Sequence, residues 1–207
     1  METAIVKVEL TGAPYKIMRT IQVPLYLTLH QFHEILQIIF DWENAHLYAF
    51  FIKEQHYESL DNTEEEIQEQ YATQKVMLKE VFSQTKQFIY EYDFGDSWLH
   101  EILLQKLIQE PQDDFMPRCL EAQGESAFED IGGIGGYADL LKTARKKKRN
   151  KEEQELIDWT GLSAKDIRKI PYYAPRIDDI NQNIDDFWED IKEGRGLDSD
   201  EGWEIVT

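Results

Sequence analysis

His46, Asp93, Asp96, His100, Glu129 and Asp130 put two imidazoles and four carboxylates on three short segments of the chain. Such a set could chelate a divalent metal, with His46, Asp93, His100 and Glu129 as candidate ligands, or supply general acid and base groups. The spacing follows no recognised metal-binding motif. The same side chains have a second use, as acceptors that fix turns by hydrogen bonding to backbone N–H groups. Together with Trp98 they outline one polar or ligand-binding site, and the residues alone leave both uses open.

The elements that must position these groups are short and well marked. Lys86–Asp93 and Trp98–Leu107 alternate as strands, and Phe94-Gly95-Asp96-Ser97 supplies the turn of a hairpin between them. On the second strand His100 shares a face with Trp98 and Ile102, so a half-buried ring is expected. Asp93-Phe94-Gly95 resembles the magnesium-binding triplet of protein kinases, but no glycine-rich phosphate loop or catalytic His-Arg-Asp segment accompanies it. Glu129 and Asp130 precede glycines 132, 133, 135 and 136, which lead into a helix over Tyr137–Lys147. These glycines lack the Gly-Lys-Ser/Thr ending of a phosphate loop and read as helix capping and close packing. The Asp93–Ser97 turn, His46 and Glu129–Gly133 are expected to converge, acceptors on one segment facing backbone donors on another.

Elsewhere, Ala4–Leu10 and Tyr15–Val23 form a strand hairpin, and Thr28 caps a helix through Phe40 whose stripe is Phe32, Ile35, Leu36 and Ile39. His30 and His33 project from that stripe with Glu34 and Gln37, which reads as a solvated face. His46–Ile52 is an aromatic strand. Residues 54–74 form an acidic excursion with Thr63-Glu64-Glu65-Glu66 as a capping start. Val76–Phe82 fits helix and strand equally. Glu152–Trp159, Ser163–Ile170 and Ile177–Lys192 read as helices. Strands come first and helices last, which predicts an α+β fold: an antiparallel sheet, a packed N-terminal helix and a mainly helical C-terminal part. Tyr48, Phe50, Phe88, Tyr90 and Trp98 belong to its core. The expected organisation is one domain over residues 1–193 and an acidic tail over 194–207, with Trp203 and Ile205 able to dock it.

A formal charge of −19 repels nucleic-acid phosphates and anionic membranes. Nucleic-acid contact would need the local run Arg145-Lys146-Lys147-Lys148-Arg149, which also suits a helix C-terminus. The single cysteine, Cys119, permits no internal disulfide and has no adjacent histidine base. No basic-then-apolar leader and no bilayer-length apolar run is present, so a cytoplasmic protein is expected. The expected partner is a protein, no cofactor is assigned beyond the open divalent metal, and oligomeric state is left undetermined.

Larger motifs carry a family resemblance. Phe40-Asp41-Trp42 with His46-Leu47-Tyr48, Tyr92-Asp93-Phe94-Gly95-Asp96-Ser97-Trp98-Leu99-His100 and Pro117-Arg118-Cys119-Leu120 resemble the plasmid pRiA4b open-reading-frame-three-like family. Glu129-Asp130-Ile131-Gly132-Gly133, Gly136-Tyr137 and Trp159-Thr160-Gly161 extend the likeness over about residues 3 to 190. Ala127-Phe128 and Ile131 depart from it, since the family often has two prolines before Glu-Asp and a cysteine after. The resemblance implies a prokaryotic α+β domain linked to mobile elements, where members are labelled insertion-sequence passenger TnpR proteins. It implies no established activity. A serine-recombinase arrangement of a nucleophilic serine among arginines is absent, so resolvase activity is not carried over. The readings left standing are a non-enzymatic interaction module, a metal-dependent hydrolase or nuclease using the His/Asp/Glu cluster, and a DNA-binding accessory protein using the basic run over 142–151.

Overall fold

The computed structural model describes residues 1–59, 72–111 and 115–192. The Thr63–Glu66 start and the tail over 194–207 lie outside the described residues. Seven strands make one antiparallel sheet: β1 Glu2–Leu10, β2 Met18–Pro24, β3 Tyr48–Ile52, β4 Gln55–Glu58, β5 Gln87–Tyr92, β6 Trp98–Gln109 and β7 Arg118–Gln123, in the order β4-β3-β5-β6-β1-β2-β7. The helices are α1 Leu29–Phe40, α2 Leu78–Gln84, α3 Gly133–Ala144, α4 Lys151–Trp159, α5 Ala164–Ile167 and α6 Ile177–Lys192, with a 3-10 turn at Ile170–Tyr172. The fold is α+β.

Local chemistry explains the key boundaries. Thr28 closes a capping box with Gln31 at the start of α1, and Asp41 ends that helix in the left-handed region at φ 55°. The β5–β6 hairpin pairs Tyr92 with Trp98 and Tyr90 with His100, which fixes the inward register of all four. Tyr48, Phe50, Phe88, Tyr90 and Trp98 are all buried, in one apolar cluster that runs from Ala4 to Trp188. At the β7 edge, Asn181 of α6 accepts from Cys119 N at 2.8 Å and donates to Cys119 O at 3.1 Å. A side chain thus occupies backbone groups that an edge strand would otherwise offer to another chain.

Several expectations are corrected. His33, Glu34 and Gln37 are buried, not solvated, because Asn44 and the sheet tyrosines cover that side of α1. The His100 ring is fully buried, not half-buried, since Phe40 and Trp42 pack on it at 4.7 and 5.2 Å between ring centres. The Val76–Phe82 segment, which fitted helix and strand equally, is helical from Leu78 onward, in α2. Strands β4 and β7 were not expected, and α3 begins at Gly133, four residues before the expected start.

Candidate functional site

The hairpin turn, the loop before β3 and the Glu129–Gly133 segment meet at one end of the sheet. Asp93 takes φ 56°, Ser97 φ 52° and Asp130 φ 57°, so three non-glycine residues hold left-handed conformations around one junction. Asp93 Oδ1 accepts from Gly95 N at 2.9 Å, an Asx turn that orders the hairpin loop. Asp96 Oδ2 accepts from Gly132 N at 3.0 Å, tying the loop to the start of α3. Glu129 reaches the other way: Oε1 accepts from Tyr92 OH at 2.6 Å and Oε2 from Glu43 N at 2.7 Å. Tyr92 OH in turn accepts from Ala45 N at 3.0 Å, and burial beside Glu129 pushes its phenol pKa up.

Glycine is required at two points here. A Cβ on Gly133, itself at φ 64°, would lie 2.2 Å from Asp96 O, and one on Gly136 would lie 1.7 Å from Ile131 O. Close packing of α3 on the hairpin excludes a side chain at Gly133, and the fold of the 129–132 segment back against the first turn of α3 excludes one at Gly136.

His46, Asp93 and Asp130 form a smaller group inside this junction, each offering one ligand atom within 4.8 Å of the others. His46 Nε2 stands 3.1 Å from Asp130 Oδ1 and 3.9 Å from Asp93 Oδ2. The 3.1 Å approach is not aligned as a hydrogen bond, although the nitrogen is screened from solvent. One imidazole and two carboxylates suit a divalent cation of the zinc or manganese type. Asp130 is exposed, so the group opens to solvent.

The other candidate residues lie elsewhere or are already occupied. His100 sits inside the aromatic core, where its Nδ1 donates to Trp98 O at 3.1 Å and burial lowers its pKa to about 3. It is absent from the three-residue group, as is Glu129, whose oxygens hold Tyr92 and Glu43. Trp98 is fully buried beside Trp42 and offers no exposed contact surface.

Two buried polar features escaped the sequence reading. Gln37 Nε2 donates to Tyr90 OH, which donates to His33 Nδ1; His33 Nε2 then donates to Asn44 Oδ1, and Asn44 Nδ2 donates to Glu34. Burial holds His33 neutral, with its pKa near 3. Arg19 is also buried and donates to Ile39 O, Met18 O, Gly124 O and Ser126 Oγ, lying over the Phe40 ring at 5.1 Å. Its signal was in the alternation, for it occupies the inward register between Ile17 and Ile21.

The basic run caps α3. Arg149 donates to Thr143 O and Ala144 O, Arg168 donates to Ala144 O at 2.8 Å, and Lys146 pairs with Glu153. Cations at a helix C-terminus satisfy its free carbonyls and its dipole. Cys119 is buried, and that burial raises its thiol pKa away from reactivity.

Comparison with known proteins places this geometry among relatives. The profile described as "Plasmid pRiA4b ORF-3-like protein" matches residues 2–178. The chain is 31% identical to "Uncharacterized protein y4hQ" of Sinorhizobium fredii (strain NBRC 101917 / NGR234) over 182 residues, covering 87% of this chain and 89% of the relative. It is also similar to a crystal structure titled "Protein of Unknown Function MM3350" from Methanosarcina mazei Go1, with a TM-score of 0.65 and 26% identity. That match covers 80% of this chain and 97% of the other.

Proposed function

The chain belongs to the plasmid pRiA4b ORF-3-like family, and from that premise we propose a non-enzymatic interaction module, linked to mobile elements, whose polar junction is architectural. One observation carries this reading. Asp93, Asp96 and Glu129 each spend carboxylate oxygens on donors of the protein itself, at 2.6 to 3.0 Å. Bonds of this kind tie the hairpin turn, the 43–45 loop and the start of α3 together, which is a use of these carboxylates that needs no substrate. The acidic exterior, at −19 overall, favours a partner with a basic surface and gives association a strong salt dependence. Affinity purification from the native host tests this at low and high salt, with and without a chelator. The reading predicts a stoichiometric basic protein that high salt releases and the chelator does not. A purified chain that turns over a substrate and recovers no partner would count against it.

A second reading rests on the His46, Asp93 and Asp130 group, in which a divalent metal would support hydrolysis of an ester or phosphodiester. Among the described residues three side chains offer ligands, so the metal would keep open positions for water and substrate. Titration with Zn²⁺ or Mn²⁺ tests it: a thermal shift abolished by His46→Ala supports this reading, and no shift removes it.

A further inference from the structure

Charge is segregated along this chain. Residues 142–176 hold eleven of the 22 Lys and Arg but five of the 41 Asp and Glu, so this stretch carries +6 and the remainder −25. Three of the eleven cations pair with acids of the same stretch, Lys146 with Glu153, Lys151 with Glu155 and Lys169 with Asp166. Arg145, Lys147, Lys148 and Lys165 are exposed and make no ion pair among the described residues.

The structure brings two basic segments together. Arg149, in the loop that follows α3, and Arg168, after α5, both donate to Ala144 O, at 3.0 and 2.8 Å. The loop at 145–149 and the 165–173 stretch therefore adjoin at the end of α3. On the second stretch, buried Ile167 and Ile170 anchor the backbone, and the short turn after them turns two rings outward. Tyr172 is 83% exposed and Tyr173 48%. Tyr173 hydrogen-bonds the Lys169 side chain, and a tyrosine left almost wholly in water, as Tyr172 is, on the stretch that adjoins the 145–149 loop has a poor rationale as packing.

We propose that this surface, built from Arg145, Lys147, Lys148, Lys165, Tyr172 and Tyr173, binds single-stranded nucleic acid. The cations meet successive phosphates, and the rings offer flat faces on which unpaired bases stack without sequence preference. An acidic peptide would share the first contact but gain nothing comparable from the rings. The acidic body repels any polyanion beyond the patch, so the interaction is local, short in footprint and strongly salt-dependent.

Fluorescence anisotropy of the full chain with a labelled mixed-sequence single-stranded oligonucleotide tests the proposal, with a poly-glutamate peptide as the second probe. Binding is expected at low salt, with log affinity falling linearly against log salt. The Lys147→Gln, Lys148→Gln double variant should lower the magnitude of that slope by about 1.4, the share of two phosphates. Tyr172→Ala should weaken binding roughly fivefold or more while leaving the slope unchanged. These side chains are exposed, and a circular dichroism melt verifies that the variants fold. Absence of binding at low salt, binding that neither variant alters, or poly-glutamate binding as tight as the oligonucleotide's and insensitive to Tyr172→Ala would overturn it.

Discussion

His33 and His100 are buried imidazoles whose protonation couples the fold to acid. Burial holds both pKa values near 3, below the unfolded value of about 6.5. The unfolded chain therefore binds their protons first as pH drops. Their contribution to stability is complete above pH about 6.5 and is lost progressively as pH falls toward about 3. Each imidazole gives a slope of about 1.4 kcal/mol per pH unit in that window, so the pair gives roughly 2.7. Urea unfolding at pH 7, 6 and 5 should show that decline, and a flat profile would mean that the rings are not buried neutral. Gly136 and its neighbour Gly135 make a matched pair. A Cβ at Gly136 meets Ile131 O, whereas one at Gly135 meets nothing within 4 Å. Gly136→Ala should cost on the order of 3 kcal/mol, while Gly135→Ala should be neutral or stabilising by up to about 1 kcal/mol in thermal melts. At this scale the hairpin residues were legible because turn chemistry is local. His33 was not, because helical spacing marks the apolar stripe and says nothing of what the loop at Asn44 covers.

The β7–α6 contact gives the clearest test among the elements. Asn181 occupies both backbone groups of Cys119, and Arg118 pairs with Asp185 at 2.6 Å beside it. Asn181→Ala should lower stability by about 1–2 kcal/mol by leaving those groups without their partner. Light scattering should also detect concentration-dependent association, since an uncovered edge strand recruits other chains. Unchanged stability and a monodisperse variant would show that the edge needs no cover. The sequence reading reached the Thr28 cap and the span of α6, because a capping residue and a sustained period announce themselves. It missed β7, a six-residue strand whose Arg118 and Glu121 interrupt any apolar alternation. Sheet pairing to β2 and the Asn181 clasp make that segment a strand, and both are long-range.

Across the whole molecule, three segments distant in sequence close on one junction, with the charge of the rest gathered into an acidic body and a basic corner. Legibility followed range here too: the sequence marked which segments would meet, but not which carboxylates would be occupied by backbone donors. Whether that occupancy is the junction's purpose is read most plainly from chemical unfolding of Glu129→Ala and His46→Ala, each measured with and without Mn²⁺ or Zn²⁺. An architectural junction predicts that Glu129→Ala loses about 1–3 kcal/mol, because Tyr92 OH and Glu43 N lose their acceptor. It predicts that His46→Ala is nearly neutral, and that neither ion moves the wild-type transition. A metal-induced gain in wild-type stability that His46→Ala removes, with Glu129→Ala leaving the metal-free protein as stable as before, would contradict it.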